Sequence, residues 1–310
     1  MAERFETRGL SDRVGLEVLG VDATRPLDET ARTALMRLFI DAGVLLFRNV
    51  GISAEAHLNL SRCFGELERH SVKESWTEGC PELIDISYLP PAPGEKSKTQ
   101  PIYEVGGEAL AGWLPWHTDQ CFMPKLSRGG VLRAVQVPPR YGRTGFMDKI
   151  ALHAALPGDL ARAIEGLSVV YQFQPQINLH KFGKPADLRL IERSTAMESL
   201  LARLDHDFPP AIHPMVYAQR ETGRKVLNFS PAYALGVHGM NTDESDEILE
   251  AVTAHCLKPE HAYFHDWQNG DLVVWDNWRT LHSAEGCPVA ETRIMHRTSI
   301  AGDYGLGSAA

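Results

Sequence analysis

The stretch DLVVWDNWRTLHSAEG, residues 271–286, opens on an apolar run, breaks at Asp276–Asn277 and resumes through Thr280, Leu281 and His282 towards Gly286. It reads as a strand, a turn and a strand returning into the same barrel. Similar short segments surround it: VLLFRNV (44–50), GGVLRAVQV (129–137), SVVYQF (168–173), IHPMVY (212–217), KVLNF (225–229), AYFHDW (262–267) and RIMHRTSIAG (293–302). Earlier, GLEVLGVDA (15–23) alternates as a strand does. Many short strands separated by Gly, Pro and Asn turns predict an antiparallel β sandwich or barrel.

Helical patterns fall between these strands and are expected to pack outside them. PLDETARTALMRLFIDAG (26–43) places Leu35, Leu38 and Phe39 on one face and stops at Gly43. AEAHLNLSRCFG (54–65) follows Ser53, a residue suited to cap it. Two more helices are expected near 150–166, and another over 243–257 before Pro259. Residues 174–211 read as an insertion carrying a helix around 190–204. Residues 66–128 lose periodicity, and about 68–115 is expected to be a loop or lid containing LPPAPGEKSKTQP (89–101). With no internal repeat or linker, residues 1–310 are expected to form one domain.

The 310 residues are 44% hydrophobic and 23% charged, with a formal net charge of -9. That composition suits a globular chain with a large core and argues against a broad nucleic-acid or anionic-membrane surface. A local basic pocket for a small anion is not excluded. The five cysteines, Cys63, Cys80, Cys121, Cys256 and Cys287, are scattered and form no CxxC, so reduced thiols and a cytoplasmic location are expected. The opening MAERFETRGL has no apolar h-region, so no secretory signal is expected. No GxGxxG, P-loop or GxSxG motif is present.

WHTDQCF, residues 116–122, places His117 and Asp119 two positions apart. In an extended chain both point to one face. An imidazole and a carboxylate side by side supply two ligands to a divalent metal. A 2-His-1-carboxylate triad adds a distant histidine and leaves positions open, which suits Fe(II). Of 13 histidines, His282 has the fitting context, on the strand returning from the 276–277 turn. His255 falls in a helix, His261 and His265 precede an outer strand, and His296 alternates with Met295. A bare His-x-Asp is equally a hydrogen-bonded structural pair. Two arginines beyond His282, Arg293 and Arg297, favour the site reading in this acidic chain. A guanidinium grips a carboxylate through two parallel hydrogen bonds, as a dicarboxylic co-substrate requires. Solvated surface charge is the plainer alternative.

Taken together, these motifs resemble the taurine dioxygenase and aryloxyalkanoate dioxygenase family of Fe(II)/2-oxoglutarate-dependent oxygenases. WHTDQCF is similar to the family's W-H-[ST]-D-x-[ST]-F, and WDNWRTLH to its W-D-N-R-x-x-x-H. RIMHRTSIAGD resembles the taurine dioxygenase ending. VLLFRNV and FGELERH resemble the N-terminal stretch, and VLRAVQVPPRYGRTGFMD the strand and turn after the first ligand pair. The matches run in order over almost the whole chain.

The resemblance implies a mainly β fold with flanking helices around a double-stranded β-helix core, a cupin-like jelly roll. It implies Fe(II) held by His117, Asp119 and His282, with 2-oxoglutarate and O2 as co-substrates. Thr144 and Arg293 would bind the distal carboxylate of 2-oxoglutarate. Arg297 would face an anionic substrate group or support the co-substrate. His70 and Phe173 match pocket positions. Trp113 stands where a polar residue is expected, Asn228 where taurine dioxygenase has a phenylalanine, and Lys73 where an aromatic is expected. The pocket is therefore not that of taurine dioxygenase, and Trp113, Trp116, Phe122 and Phe173 imply a roomier and more apolar one than taurine needs, although aromatics serve the core as readily. The turn Y-G-R-T departs too, placing Arg143 beside the co-substrate or in solvent, and Trp278 replaces the arginine after W-D-N. The implied reaction is hydroxylation of an unactivated C–H bond of a small, anionic and partly apolar molecule, with succinate and CO2 released. Next to a heteroatom, hydroxylation collapses to C–O or C–S cleavage. The rival is a cupin-like metal-dependent hydrolase or isomerase that needs no 2-oxoglutarate and leaves Arg293 and Thr144 without a task. A small-molecule substrate is expected, with no nucleic-acid or membrane partner, and a homo-oligomer is left open.

Overall fold

In the sequence VLLF, Val44–Phe47, every residue is buried, and alternate side chains enter different cores. Leu45 and Phe47 pack with Leu35, Phe39, Leu60 and Phe64 under the two N-terminal helices. Val44 and Leu46 turn the other way, towards Phe146, Val273 and Trp275. A strand covered on both faces has no polar side to show, hence the unbroken apolar run. The computed structural model describes residues 5–69, 76, 77, 80–202 and 208–310. Over these the protein is mainly β, with helices at its flanks.

The larger sheet runs in the order Thr7–Gly9, Leu16–Val18, Val44–Phe47, Leu272–Asp276, Gly129–Gln136, Ile294–Ile300, Cys80–Asp85 and Trp76–Thr77, with Leu67–Glu68 also against Ile294–Ile300. Facing it is a smaller antiparallel sheet in the order Tyr263–His265, Thr144–Asp148, Thr280–Ala284 and Leu114–His117. Parity decides what each strand contributes. Phe146 and His282 face the larger sheet, whereas Met147 and Leu281 join an outer core with Leu152, Ile164, Leu249 and Val252 from the flanking helices. Each fully buried apolar side chain here stabilises the fold by roughly 1.5–3 kcal/mol.

The helices form where local signals place them. Asp28 accepts from Ala31 N at the start of Glu29–Ala42, and Gly43 ends it. Ser53 caps Ala54–Ser61, which stops four residues before Gly65. Residues 243–257 correspond to Thr242–Cys256, capped by Asn241. Among the described residues no helix is long and apolar enough to cross a membrane.

The expected loop over 68–115 is a finding against the sequence reading, because much of it is strand. Ile102–Val105 and Glu108–Ala111 form a hairpin turning at Gly106–Gly107, whose φ values are 58° and 82°. Two glycines with positive φ are the usual signal of a two-residue hairpin turn, and it was there to be read. The insertion at 174–211 also differs. Its helix is shorter, Thr195–Leu201, and Arg189–Glu192 before it is a strand paired with Ile102–Val105. The two irregular regions thus complete each other as one sheet, with Cys287–Pro288 on its far edge. Among the described residues, 89–101 behaves as the loop expected.

Candidate active site

His117 is the last residue of Leu114–His117, and it pairs directly with His282 across the smaller sheet. The two rings lie 4.1 Å apart, centroid to centroid. Beyond His117 the chain turns at Gln120, a non-glycine residue at φ 58°. Asp119, just before that turn, places its carboxylate between the two imidazoles. Its Oδ1 is 3.5 Å from His117 Nε2 and its Oδ2 is 3.4 Å from His282 Nε2. One ligand atom from each residue lies within 4.8 Å of the others.

The protonation pattern suits a cation. His117 Nδ1 donates to the Pro115 carbonyl at 2.8 Å, which leaves the Nε2 lone pair facing the cluster. Burial, reinforced by His117, pushes the His282 pKa down to about 4, so its ring is neutral at pH 7. Burial works against ionisation of Asp119, but Arg297 and His282 outweigh it and hold the carboxyl well below its usual range. Two imidazole nitrogens and one carboxylate oxygen on one side of an open cavity fit a facially bound Fe(II).

Asn277 holds this geometry from behind. Its Oδ1 accepts from Asp119 N at 2.9 Å, and its Nδ2 donates to Asp119 O at 3.0 Å and to Ser127 O at 3.1 Å. The buried amide therefore grips both sides of the ligand's backbone. The sequence reading took Asn277 only for a turn residue. Trp275, from the facing sheet, lies 5.0 Å from the His282 ring, and Gly130 leaves space for it. A Cβ at Gly130 would fall 2.2 Å from the indole.

A cavity of about 190 Å³ opens between the sheets beside the cluster. Thr144, Trp275, Arg293 and Arg297 line it together with His117, Asp119 and His282. Arg293 and Arg297, four apart along one strand line, share a face as even spacing requires. Arg293 is buried, and its Nε donates to Gly142 O at 3.3 Å. Among the described residues it forms no ion pair, and burial lowers its pKa to about 10. Thr144 Oγ1 accepts from Trp267 Nε1 at 3.0 Å, so its own hydroxyl hydrogen is free to donate into the cavity. Trp267 was not singled out from sequence. Arg297 donates instead to Asp119 Oδ2, and its buried Nε has no hydrogen-bond partner among the described residues.

Other expected residues stand elsewhere. His70 and Lys73 lie outside the described residues. Trp113 packs edge-on to Tyr103, in a cluster with Ile177, Leu188 and Met197, and borders a neighbouring surface cleft rather than the metal cavity. Phe173 belongs to an aromatic group with Phe122, Phe208 and Tyr233. Asn228 does not line the cavity, because its amide is spent on Lys149, Pro214 O and Tyr304. Arg143 is paired with Glu285 on the surface side. Trp278 and Arg279 are structural: Trp278 Nε1 donates to Leu126 O, and Arg279 bridges Asp148 to the carbonyls of Ile40 and Asp41. The competing histidines are also accounted for. His255 donates to Leu152 O, His261 accepts from Arg13, His265 pairs with Asp271, and His296 accepts from Arg133.

Comparison with known proteins adds a third line. A family model described as taurine catabolism dioxygenase TauD, TfdA family, matches residues 6–299. The (S)-phenoxypropionate/alpha-ketoglutarate-dioxygenase of Sphingobium herbicidovorans is 29% identical over 304 residues, 98% of this chain and 97% of that protein. The alpha-ketoglutarate-dependent 2,4-dichlorophenoxyacetate dioxygenase of Cupriavidus pinatubonensis is 30% identical over 286 residues, 91% of this chain and 93% of that one. Among solved structures, AAD-2 in complex with Mn(II) and N-oxalylglycine superposes with a TM-score of 0.71 at 23% identity, covering 96% of this chain and 97% of that chain.

Proposed function

This chain belongs to the TauD/TfdA family of alpha-ketoglutarate-dependent dioxygenases, and from that premise we propose that it hydroxylates an unactivated C–H bond of a small, anionic and partly apolar molecule. The family comprises oxidoreductases that use Fe(II), 2-oxoglutarate and O2. The two facing sheets are read as a double-stranded β-helix, the jelly-roll core of one catalytic domain. His117, Asp119 and His282 are assigned to the metal, and Thr144 and Arg293 to 2-oxoglutarate.

One observation supports this reading above the rest. A buried guanidinium with no carboxylate partner among the described residues, Arg293, shares a cavity with the His-Asp-His cluster. An unpaired buried charge costs several kcal/mol unless a ligand answers it. The distal carboxylate of 2-oxoglutarate, held by Arg293, would answer it. A hydrolase or isomerase leaves both Arg293 and Thr144 idle.

When bound, the iron and its co-substrates supply the power to oxidise an unactivated C–H bond, with succinate and CO2 released. The chain's own part is placement. Arg293 and the Thr144 hydroxyl fix the far carboxylate. Asn277 holds Asp119 in position. Trp275 walls the inner side and keeps water out. Arg297, which here donates to Asp119, would be available to a substrate anion if Asp119 served as a metal ligand. If the hydroxylated carbon bears oxygen or sulfur, the product breaks down to a C–O or C–S cleavage product.

The test is a panel of aryloxyalkanoates, sulfonates and sulfate esters offered with Fe(II) and 2-oxoglutarate, scored by succinate release and oxygen uptake. Substrate-stimulated succinate is expected. A chain that neither binds 2-oxoglutarate nor releases succinate with any panel member refutes the reading.

A further inference from the structure

Behind the metal cluster lies a charge that none of the roles above employs. Lys149 begins the helix Lys149–Ala154, and its side chain is fully buried. The adjacent acid, Asp148, is already committed: it caps Ile150 N and pairs with Arg279. Among the described residues Lys149 forms no ion pair. Its Nζ donates instead to Thr118 Oγ1 at 3.1 Å and to Asn228 Oδ1 at 3.3 Å. Burial lowers its pKa to about 8, so it still carries its proton at neutral pH. A buried ammonium costs the fold several kcal/mol, and methionine would fill the same space without that cost.

The position of its partner gives the charge a purpose. Thr118 stands between His117 and Asp119, and strand alternation points it away from them. Its N–H donates to Ser230 Oγ at 3.1 Å and its hydroxyl to Thr280 O at 3.5 Å. Thr280 is two residues before His282. Asn228, the second acceptor, is itself fixed by Pro214 O at 2.9 Å and Tyr304 at 3.3 Å. The ammonium is thus tied to a rigid anchor on one side and to the residue between two ligands on the other.

We infer that Lys149 is a positioning residue for the metal centre, pinning Thr118 from behind and so setting the spacing and aim of His117 and Asp119. The inference rests on the metal assignment proposed above. Residues that orient ligands in this way typically govern metal affinity by about 10- to 100-fold.

The experiment uses the full chain and Mn(II) as the probe, titrated by electron paramagnetic resonance, with thermal midpoints measured on the metal-free protein. Wild type, Lys149→Met, Thr118→Val and the double variant are compared. Lys149→Met should raise the Mn(II) Kd about 10-fold while the metal-free midpoint holds or rises, since a buried charge is gone. A merely structural lysine would do the reverse. Thr118→Val should reproduce the loss, and the double variant should lose no more than either single one, because both cut the same link. A Kd within about twofold of wild type in Lys149→Met, or losses that add, overturns the inference while leaving the metal site intact. If Lys149→Met fails to fold, an unchanged Kd in Thr118→Val overturns it and a raised one supports it. A wild-type chain that binds no Mn(II) overturns the metal assignment and this inference with it.

Discussion

Replacing Arg293 with methionine removes a buried charge and keeps most of the side chain's length. Among the described residues nothing neutralises that charge; its hydrogen bond to Gly142 O uses Nε, and the side chain lines the cavity. Two consequences of opposite sign follow. Without ligand, the variant is relieved of an uncompensated charge, so its thermal midpoint should equal or exceed that of wild type. With ligand, it lacks the charge-assisted hydrogen bonds that 2-oxoglutarate would receive. Such bonds contribute about 1.5–3 kcal/mol, and at 1.4 kcal/mol per tenfold that is roughly a 10- to 150-fold rise in Kd. Calorimetric titration of 2-oxoglutarate into the Mn(II)-loaded protein measures it directly. The stabilisation that 2-oxoglutarate confers on thermal unfolding should shrink in parallel, because ligand stabilisation follows mass action. Affinity for the prime substrate should change far less. If the variant binds 2-oxoglutarate as wild type does, or is destabilised without ligand, Arg293 is an internal structural cation and the argument from its missing partner collapses.

Other perturbations probe the remaining parts. Asn277→Ala frees both sides of the Asp119 backbone and should weaken Mn(II) binding by about 10- to 100-fold; an unchanged titration would show that the turn holds itself. Arg297→Ala should weaken an anionic substrate about tenfold or more and leave 2-oxoglutarate untouched, so equal losses for both in steady-state kinetics would assign Arg297 to the co-substrate instead. Stability should fall on acidification. Burial lowers the pKa of His57 to about 3 and those of His180 and His213 to about 4, from 6.5. These rings stay neutral in the folded chain while the unfolded chain takes up protons, so their contribution is complete above about pH 6.5 and is lost progressively towards pH 4 and 3. Each is worth on the order of 3 kcal/mol, and a thermal midpoint flat from pH 7 to about pH 4.5 would contradict it.

By itself the sequence was enough to specify strands, most helices and the three residues that meet at the cluster. The reason is range. His117 and Asp119 lie two positions apart, strand alternation is a local rule, and Asp28, Ser53 and Gly43 mark helix ends through contacts within one turn. Apart from the hairpin at Gly106–Gly107, whose signal was local, what failed depended on partners far along the chain. Arg189–Glu192 becomes a strand because Ile102–Val105 offers it an edge. Asn277 clamps Asp119 across 158 positions, and Trp267 orients Thr144 across 123. Asn228 was drawn into the substrate pocket by its place in a motif, yet Lys149 and Tyr304 claim its amide. Arg297 meets Asp119 rather than open space because two sheets bring them together. A residue type states which hydrogen bonds and charges a side chain can offer. Which of them are answered within the protein, and which are left for a ligand, is settled only when packing brings distant groups within reach and excludes water from the rest.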